Sequence, residues 1–301
     1  MFKIINSGWG GRDPHLSKIK NRFYYCYACD NKIYFQYSID IEALGVAMPK
    51  VIFDGDDCGY REVWAPEFHF VNGIYYVYFT ATKSDVLHHR LFFICCEDID
   101  TCSWSDIRPI GNAPNEFSID QTVFSFRDKL YTAWTNCGNM FLAEMLNPTT
   151  IKNDFVVFSK PTFDWEKIMN PINEGPSFFV KNGVLFCVFS ASDSKCDDYC
   201  IGLLELRGNN PLDVSCWQKY DKPVFAPTDN AKGIGHCSIC LSDEIGYICY
   251  HVFKTDSSLG WENVFAVVQD FNFDANGKPI FGSVQYDRNK YLEGKYDFCR
   301  R

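Results

Sequence analysis

Nowhere in the 301 residues does an apolar run approach the ~18 needed for a membrane-crossing helix. Basic residues are also scarce: 29 Lys and Arg stand against 38 Asp and Glu, a net charge of −9. Phosphate binding needs clustered cations, so nucleic acid is not expected as a partner, nor is a polybasic contact with a membrane. No Asn-x-Ser/Thr acceptor occurs with x other than proline. The opening residues, Met1 to Gly10, hold no apolar leader core and no small-residue cleavage site. The 15 cysteines are odd in number and show no paired spacing. These absences lead to the expectation of a reducing, cytoplasmic protein, secreted only if a leader had been removed. Long amphipathic helical patterns are missing too. What remains is a chain rich in aromatics, with 27 Phe, 17 Tyr and 7 Trp, residues that favour strands. The expected class is all-β.

One unit recurs five times. The copies open at Asp13-Pro14-His15-Leu16, Ala65-Pro66-Glu67-Phe68, Asp120-Gln121-Thr122-Val123, Gly175-Pro176-Ser177-Phe178 and His236-Cys237-Ser238-Ile239, spaced by 52, 55, 55 and 61 residues. Each opening leads into a very aromatic second strand, such as Phe23–Tyr27, Tyr75–Phe79 and Leu185–Phe189. Asn72-Gly73 and Asn182-Gly183 give the strongest hairpin signals. Third strands are expected at 33–38, 91–96, 140–145, 200–206 and 264–271, and short fourth strands at 51–53, 107–110, 156–158, 224–225 and 280–281. Four antiparallel strands repeated five times predict a five-bladed β-propeller occupying 1–301 as a single catalytic domain. Residues 284–301 fall past the fifth unit.

In a propeller the first strand of each blade lines the central channel, so equivalent positions converge on one axis. Asp13, Asp120 and His236 open their units, and Trp64 and Glu174 stand one position before theirs. Acids gathered around an axis repel one another and raise each other's pKa, an arrangement more often functional than structural. Glycoside hydrolysis needs such a set: one acid to protonate the leaving oxygen and one carboxylate to activate water or attack the sugar. A third acid can raise the pKa of the first.

Arg12-Asp13-Pro14, Trp64-Ala65-Pro66-Glu67, Ile119-Asp120-Gln121-Thr122-Val123-Phe124, Asn173-Glu174-Gly175-Pro176-Ser177 and Gly233-Ile234-Gly235-His236-Cys237-Ser238 resemble the ordered motifs of glycoside hydrolase family 43. Ser190-Ala191-Ser192 with Asp198-Tyr199-Cys200-Ile201-Gly202 resembles the branch of exo-acting α-1,5-L-arabinofuranosidases. The resemblance implies a five-bladed propeller and an inverting mechanism, with Asp13 as general base, Glu174 as general acid and Asp120 raising the pKa of Glu174. It implies no organic cofactor, and a calcium ion or ordered waters on the axis at His236. The implied substrate is an arabinose-containing oligosaccharide or polysaccharide. The alternatives are a β-D-xylosidase on the same scaffold and a non-catalytic carbohydrate-binding propeller. Two positions depart from the family pattern: Gln121, where Pro or Gly is usual, and Cys237, where Asn is usual.

Trp64 is expected to stack on a sugar face and Tyr199 to border the pocket. Glu67, on the same strand face as Ala65, is read as structural, lining the channel or paired with an arginine. His88-His89 reads as a surface loop. Cys26-x-x-Cys29 and Cys237-x-x-Cys240 read as core thiols, since strand residues three apart face opposite ways and cannot share a zinc ion.

Overall fold

A computed structural model describes residues 1–242 and 245–296. It is a five-bladed β-propeller of antiparallel sheets. The innermost strands are His15–Ile19, Arg61–Val71, Ile119–Phe126, Asn173–Lys181 and Lys232–Ser242. Each lies against the next around the axis, and the fifth lies against the first. Asn72-Gly73 and Asn182-Gly183 form two-residue hairpin loops with positive φ at both positions, as their residue types require.

Aromatic strands interleave between blades. Phe124 stacks on Phe178 at 3.9 Å across blades three and four, and Tyr24 on Phe68 at 4.8 Å across blades one and two. Each such pair contributes about 1 kcal/mol beyond the burial of its rings.

Two outer strands differ from expectation. In blade four the fourth strand is Trp217–Lys219, not 224–225. Phe225 instead forms a lone bridge to Ile201 and fills the core behind it. In blade five the outer position belongs to Phe2–Ser7, which pairs with Val264–Phe273 from Phe2↔Gln269 to Ser7↔Phe265. Pro279–Ile280 makes only a two-residue ladder at the end of that strand. The ring is therefore closed by chain from both termini. Beyond it, Tyr286 is buried and Tyr291 and Tyr296 pack on the same core cluster.

One backbone feature repeats in every blade. Asp13, Ala65, Asp120, Gly175 and His236 all have positive φ, at 45°, 45°, 57°, 56° and 42°. A left-handed residue costs a non-glycine about 1–2 kcal/mol, and four of these five are not glycine. In four of the blades, the pairing register shifts at or beside this position, as in a β-bulge.

Candidate active site

The left-handed turn re-aims the chain within or just before each inner strand, and Asp13, Asp120, Glu174 and His236, at the turn or next to it, form one cluster. Asp13 lies among basic groups: its Oδ2 is 3.3 Å from Arg12 Nη2, and its Oδ1 is 3.2 Å from His236 Nδ1 and 4.0 Å from Nδ1 of His251, a ring that burial keeps neutral with its pKa lowered to about 3. Burial alone would raise its pKa, but His236 and Arg12 outweigh burial and hold the carboxyl below its usual range.

Asp120 and Glu174 are pushed the other way. Burial is the main cause for both, and each feels other acids: Asp13 acts on Asp120, and Asp120 acts on Glu174. Glu174 is raised furthest. Asp120 Oδ2 accepts the N–H of Gly175 at 3.1 Å, which ties it to the residue next to Glu174. The site thus holds one carboxyl kept ionised and one kept protonated.

Tyr199 lies beneath the site rather than at its exposed border. It is fully buried, its hydroxyl donates to Glu174 Oε1 at 2.8 Å, and its ring stacks on His251 at 5.5 Å. Gly235 makes room for it, since a Cβ there would lie 1.8 Å from the tyrosine ring. The Gly-Ile-Gly-His motif is therefore needed for packing as well as for the histidine.

A cavity of about 300 Å³ opens over Asp13. Arg12, Trp9, Asn31, Glu62 and Trp64 are among its walls. Trp64 stacks on His89 at 4.0 Å and donates its indole N–H to Glu62 Oε2 at 3.1 Å. Of the pair expected at the surface, only His88 is exposed. His89 is buried, with Nδ1 2.6 Å from Val86 O and Nε2 2.9 Å from Glu62 O, and backs the tryptophan.

Glu67 pairs with histidines rather than an arginine: His69 Nε2 at 2.8 Å and His15 Nε2 at 3.8 Å. His15, Glu67 and His69 have ligand atoms within 4.8 Å of one another. The set does not suit calcium. Two of its three donors are imidazoles, whereas calcium takes oxygen. His15 Nδ1 also accepts the N–H of Phe68 at 3.0 Å, and burial keeps the ring neutral, its pKa lowered to about 4. Its proton therefore sits on Nε2, and no lone pair is free for a metal. His236 does not fit either. It offers one imidazole where calcium takes oxygen, and its Nδ1 is engaged with Asp13 Oδ1 at 3.2 Å; burial lowers its pKa, but Asp13, Asp120, Glu174 and Glu67 raise it by more.

The family model of glycosyl hydrolases family 43 matches residues 10–279. The chain belongs to that family. It is 30% identical over 294 residues to an extracellular exo-α-(1→5)-L-arabinofuranosidase of Streptomyces avermitilis, covering 90% of this chain and 61% of the relative. It is also 30% identical to the enzyme of that name from Streptomyces chartreusis, covering 77% of this chain and 76% of the relative. The chain thus spans about three fifths of the first relative's length. The crystal structure of an α-L-arabinofuranosidase from Lactobacillus brevis superimposes with a TM-score of 0.84 at 28% identity, covering 94% of this chain and 98% of that one.

These relatives correct the cytoplasmic expectation, because both Streptomyces proteins are named extracellular enzymes. The cysteine count misled for a physical reason. The 14 cysteines among the described residues are free, and eight of them are buried, including Cys26, Cys187, Cys237 and Cys249. Burial raises the pKa of these four, and a buried neutral thiol packs as a small hydrophobe whatever the compartment.

Proposed function

We propose that this chain is an exo-acting, inverting α-L-arabinofuranosidase that releases terminal arabinose from α-1,5-arabinan or arabino-oligosaccharides. The propeller acts as one catalytic unit, with blades opening near 13, 65, 120, 175 and 236. Asp13 takes a proton from water as the water oxygen attacks the anomeric carbon. The glycosidic C–O bond breaks on the opposite face, and Glu174 delivers its proton to the departing oxygen. Asp120 keeps Glu174 protonated through its charge, and Tyr199 orients it. Trp64 offers the sugar an apolar wall. The substrate is carried over from the relatives' names.

The observation that carries this reading is the opposite displacement of Asp13 and Glu174. Two carboxyls driven apart in pKa define a base and an acid. The test compares 4-nitrophenyl α-L-arabinofuranoside, 4-nitrophenyl β-D-xylopyranoside and α-1,5-arabinobiose, with Glu174→Gln as control and NMR reading the anomer first released. Arabinoside turnover that falls in the variant, with β-L-arabinose as first product, is expected. Turnover of the xyloside alone would change the substrate but not the mechanism. Sugar binding without turnover of any of the three would sink the enzyme.

A further inference from the structure

Arg12 stands just outside the five-fold register, and the elements that hold it come from outside the register as well. Its guanidinium carbon lies 5.5 Å from the ring centre of Trp9 and 4.7 Å from that of Trp261. Trp9 belongs to the turn Gly8–Gly11 ahead of blade one, and Trp261 to the turn Trp261–Asn263 of blade five. These turns come from opposite ends of the chain and touch each other. The indole N–H of Trp9 faces Glu262 Oε1 at 3.4 Å, which ties the two turns together. Arg12 Nη2 reaches Asp13 Oδ2, while Arg12 Nε is buried with no hydrogen-bond partner among the described residues. Stacking on the two indoles, rather than saturation of its donors, therefore holds this guanidinium in place.

We infer that Arg12 is a positioning residue for Asp13: clamped between Trp9 and Trp261, it anchors one carboxylate oxygen so that the carboxylate keeps a fixed aim. The inference rests on Asp13 being the base of the proposed reaction. A general base must direct one lone pair at water throughout the attack. Asp13 sits on a left-handed backbone at the mouth of a cavity, so its short side chain needs a partner from the side. Arg12 supplies that partner at Oδ2, and His236 and His251 face Oδ1. The other charges bearing on this carboxyl are the acids Asp120 and Glu174. Only a planar guanidinium can fill a slot between two indoles and still present an N–H edge, so lysine keeps the charge and loses the clamp.

The test measures kcat and KM against pH for the wild type, Arg12→Lys and Arg12→Gln on the glycoside that the wild type turns over. Arg12→Gln is expected to lower kcat about 10- to 100-fold with little change in KM. It is also expected to move the acidic limb up by about one pH unit, because a positive neighbour of the base is gone. Arg12→Lys is expected to leave the acidic limb near its wild-type place and still lower kcat. A loss carried wholly by KM would make Arg12 a substrate contact and overturn the inference, and so would an acidic limb unmoved in Arg12→Gln. If Arg12→Gln fails to fold, Trp261→Leu opens one side of the clamp and is expected to lower kcat in the same way. A 13C titration of labelled aspartate carboxyls, with Asp13 assigned by Asp13→Asn, separates this inference from the proposed activity. An Asp13 titration that rises in Arg12→Gln supports the clamp even in a protein without turnover, and an unmoved one overturns it.

Discussion

Glu166 and Glu174 stand eight positions apart, one fully buried and one half-buried, and the protein treats them in opposite ways. Glu166 is fully buried and fully partnered. One oxygen accepts the N–H groups of Thr162 and Phe163 at 2.6 and 2.7 Å, and the other receives Lys219 Nζ at 2.6 Å and Asn173 Nδ2 at 3.0 Å. Lys219 also bonds Lys160 O and Asn173 Oδ1, and Ser159 closes the network on Asn173. Glu174 has the Tyr199 hydroxyl at 2.8 Å, and the like charges of Asp120 and Asp13 oppose the favourable one of His236. A saturated carboxylate holds a loop in place, whereas an under-partnered one keeps its proton available. Asn173 joins the two regions, because the network that fixes it also fixes the strand start from which Glu174 projects.

The sharpest way to separate the two regions is to neutralise the under-partnered acid. Glu174→Gln should lower kcat on α-1,5-arabinobiose by about 10²- to 10⁴-fold, the usual worth of a general acid. The same change should stabilise the fold. The pKa of Glu174 is raised on folding, so its contribution is complete at acid pH, below the unfolded value, and fades as pH rises through the folded value. The variant should therefore melt several degrees above the wild type at pH 8, and the gap should close near pH 4. A variant that is no more stable at pH 8 would mean that the acid is better partnered than its surroundings indicate.

The converse change is Lys219→Met. It leaves Glu166 as a buried charge without its cation, so destabilisation by about 3–5 kcal/mol is expected in urea unfolding, the opposite sign to Glu174→Gln. Kinetics should suffer only through Asn173. Next in size is Tyr199→Phe, which removes the hydroxyl that donates to Glu174. About tenfold in kcat is expected, with the basic limb moving to higher pH, because that hydrogen bond lowers the pKa of Glu174. A basic limb moving down would reverse the assigned role of the hydroxyl.

The contrast also explains what the sequence could reveal. Asp13, Asp120, His236 and the Glu174–Gly175 pair were legible because every blade must place the same left-handed turn at the same register, which makes the turn residue a marker. The Glu166 network was not legible, since its members come from a loop, an inner strand and an outer strand with no common period. The outer strand of blade five was missed because Phe2–Ser7 pairs with residues some 260 positions away, whereas a repeat search assumes contiguous blades. In sequence Tyr199 reads as a residue at the pocket's border and His89 as part of a surface loop. Each is buried because its polar atoms find partners that only the folded chain provides: Glu174 for Tyr199, and two backbone carbonyls for His89.

The smallest predicted effect tests where the strain beneath the under-partnered region comes from. If the left-handed turn existed only to aim the side chain it carries, it would be absent where that side chain has no chemistry. Ala65 carries no chemistry and still has φ of 45°, so the turn belongs to the propeller and the site is built on it. Ala65→Gly should relieve about 1 kcal/mol of steric strain and give up a similar amount through the lost buried methyl and the freer unfolded chain. Stability within about 0.5 kcal/mol of wild type is therefore expected, where alanine to glycine inside an unstrained strand would cost about 1 kcal/mol. A full loss of that size in urea unfolding would mean that the turn at Ala65 is unstrained. The positive φ at Asp13 and Asp120 would then have to be attributed to the acids themselves.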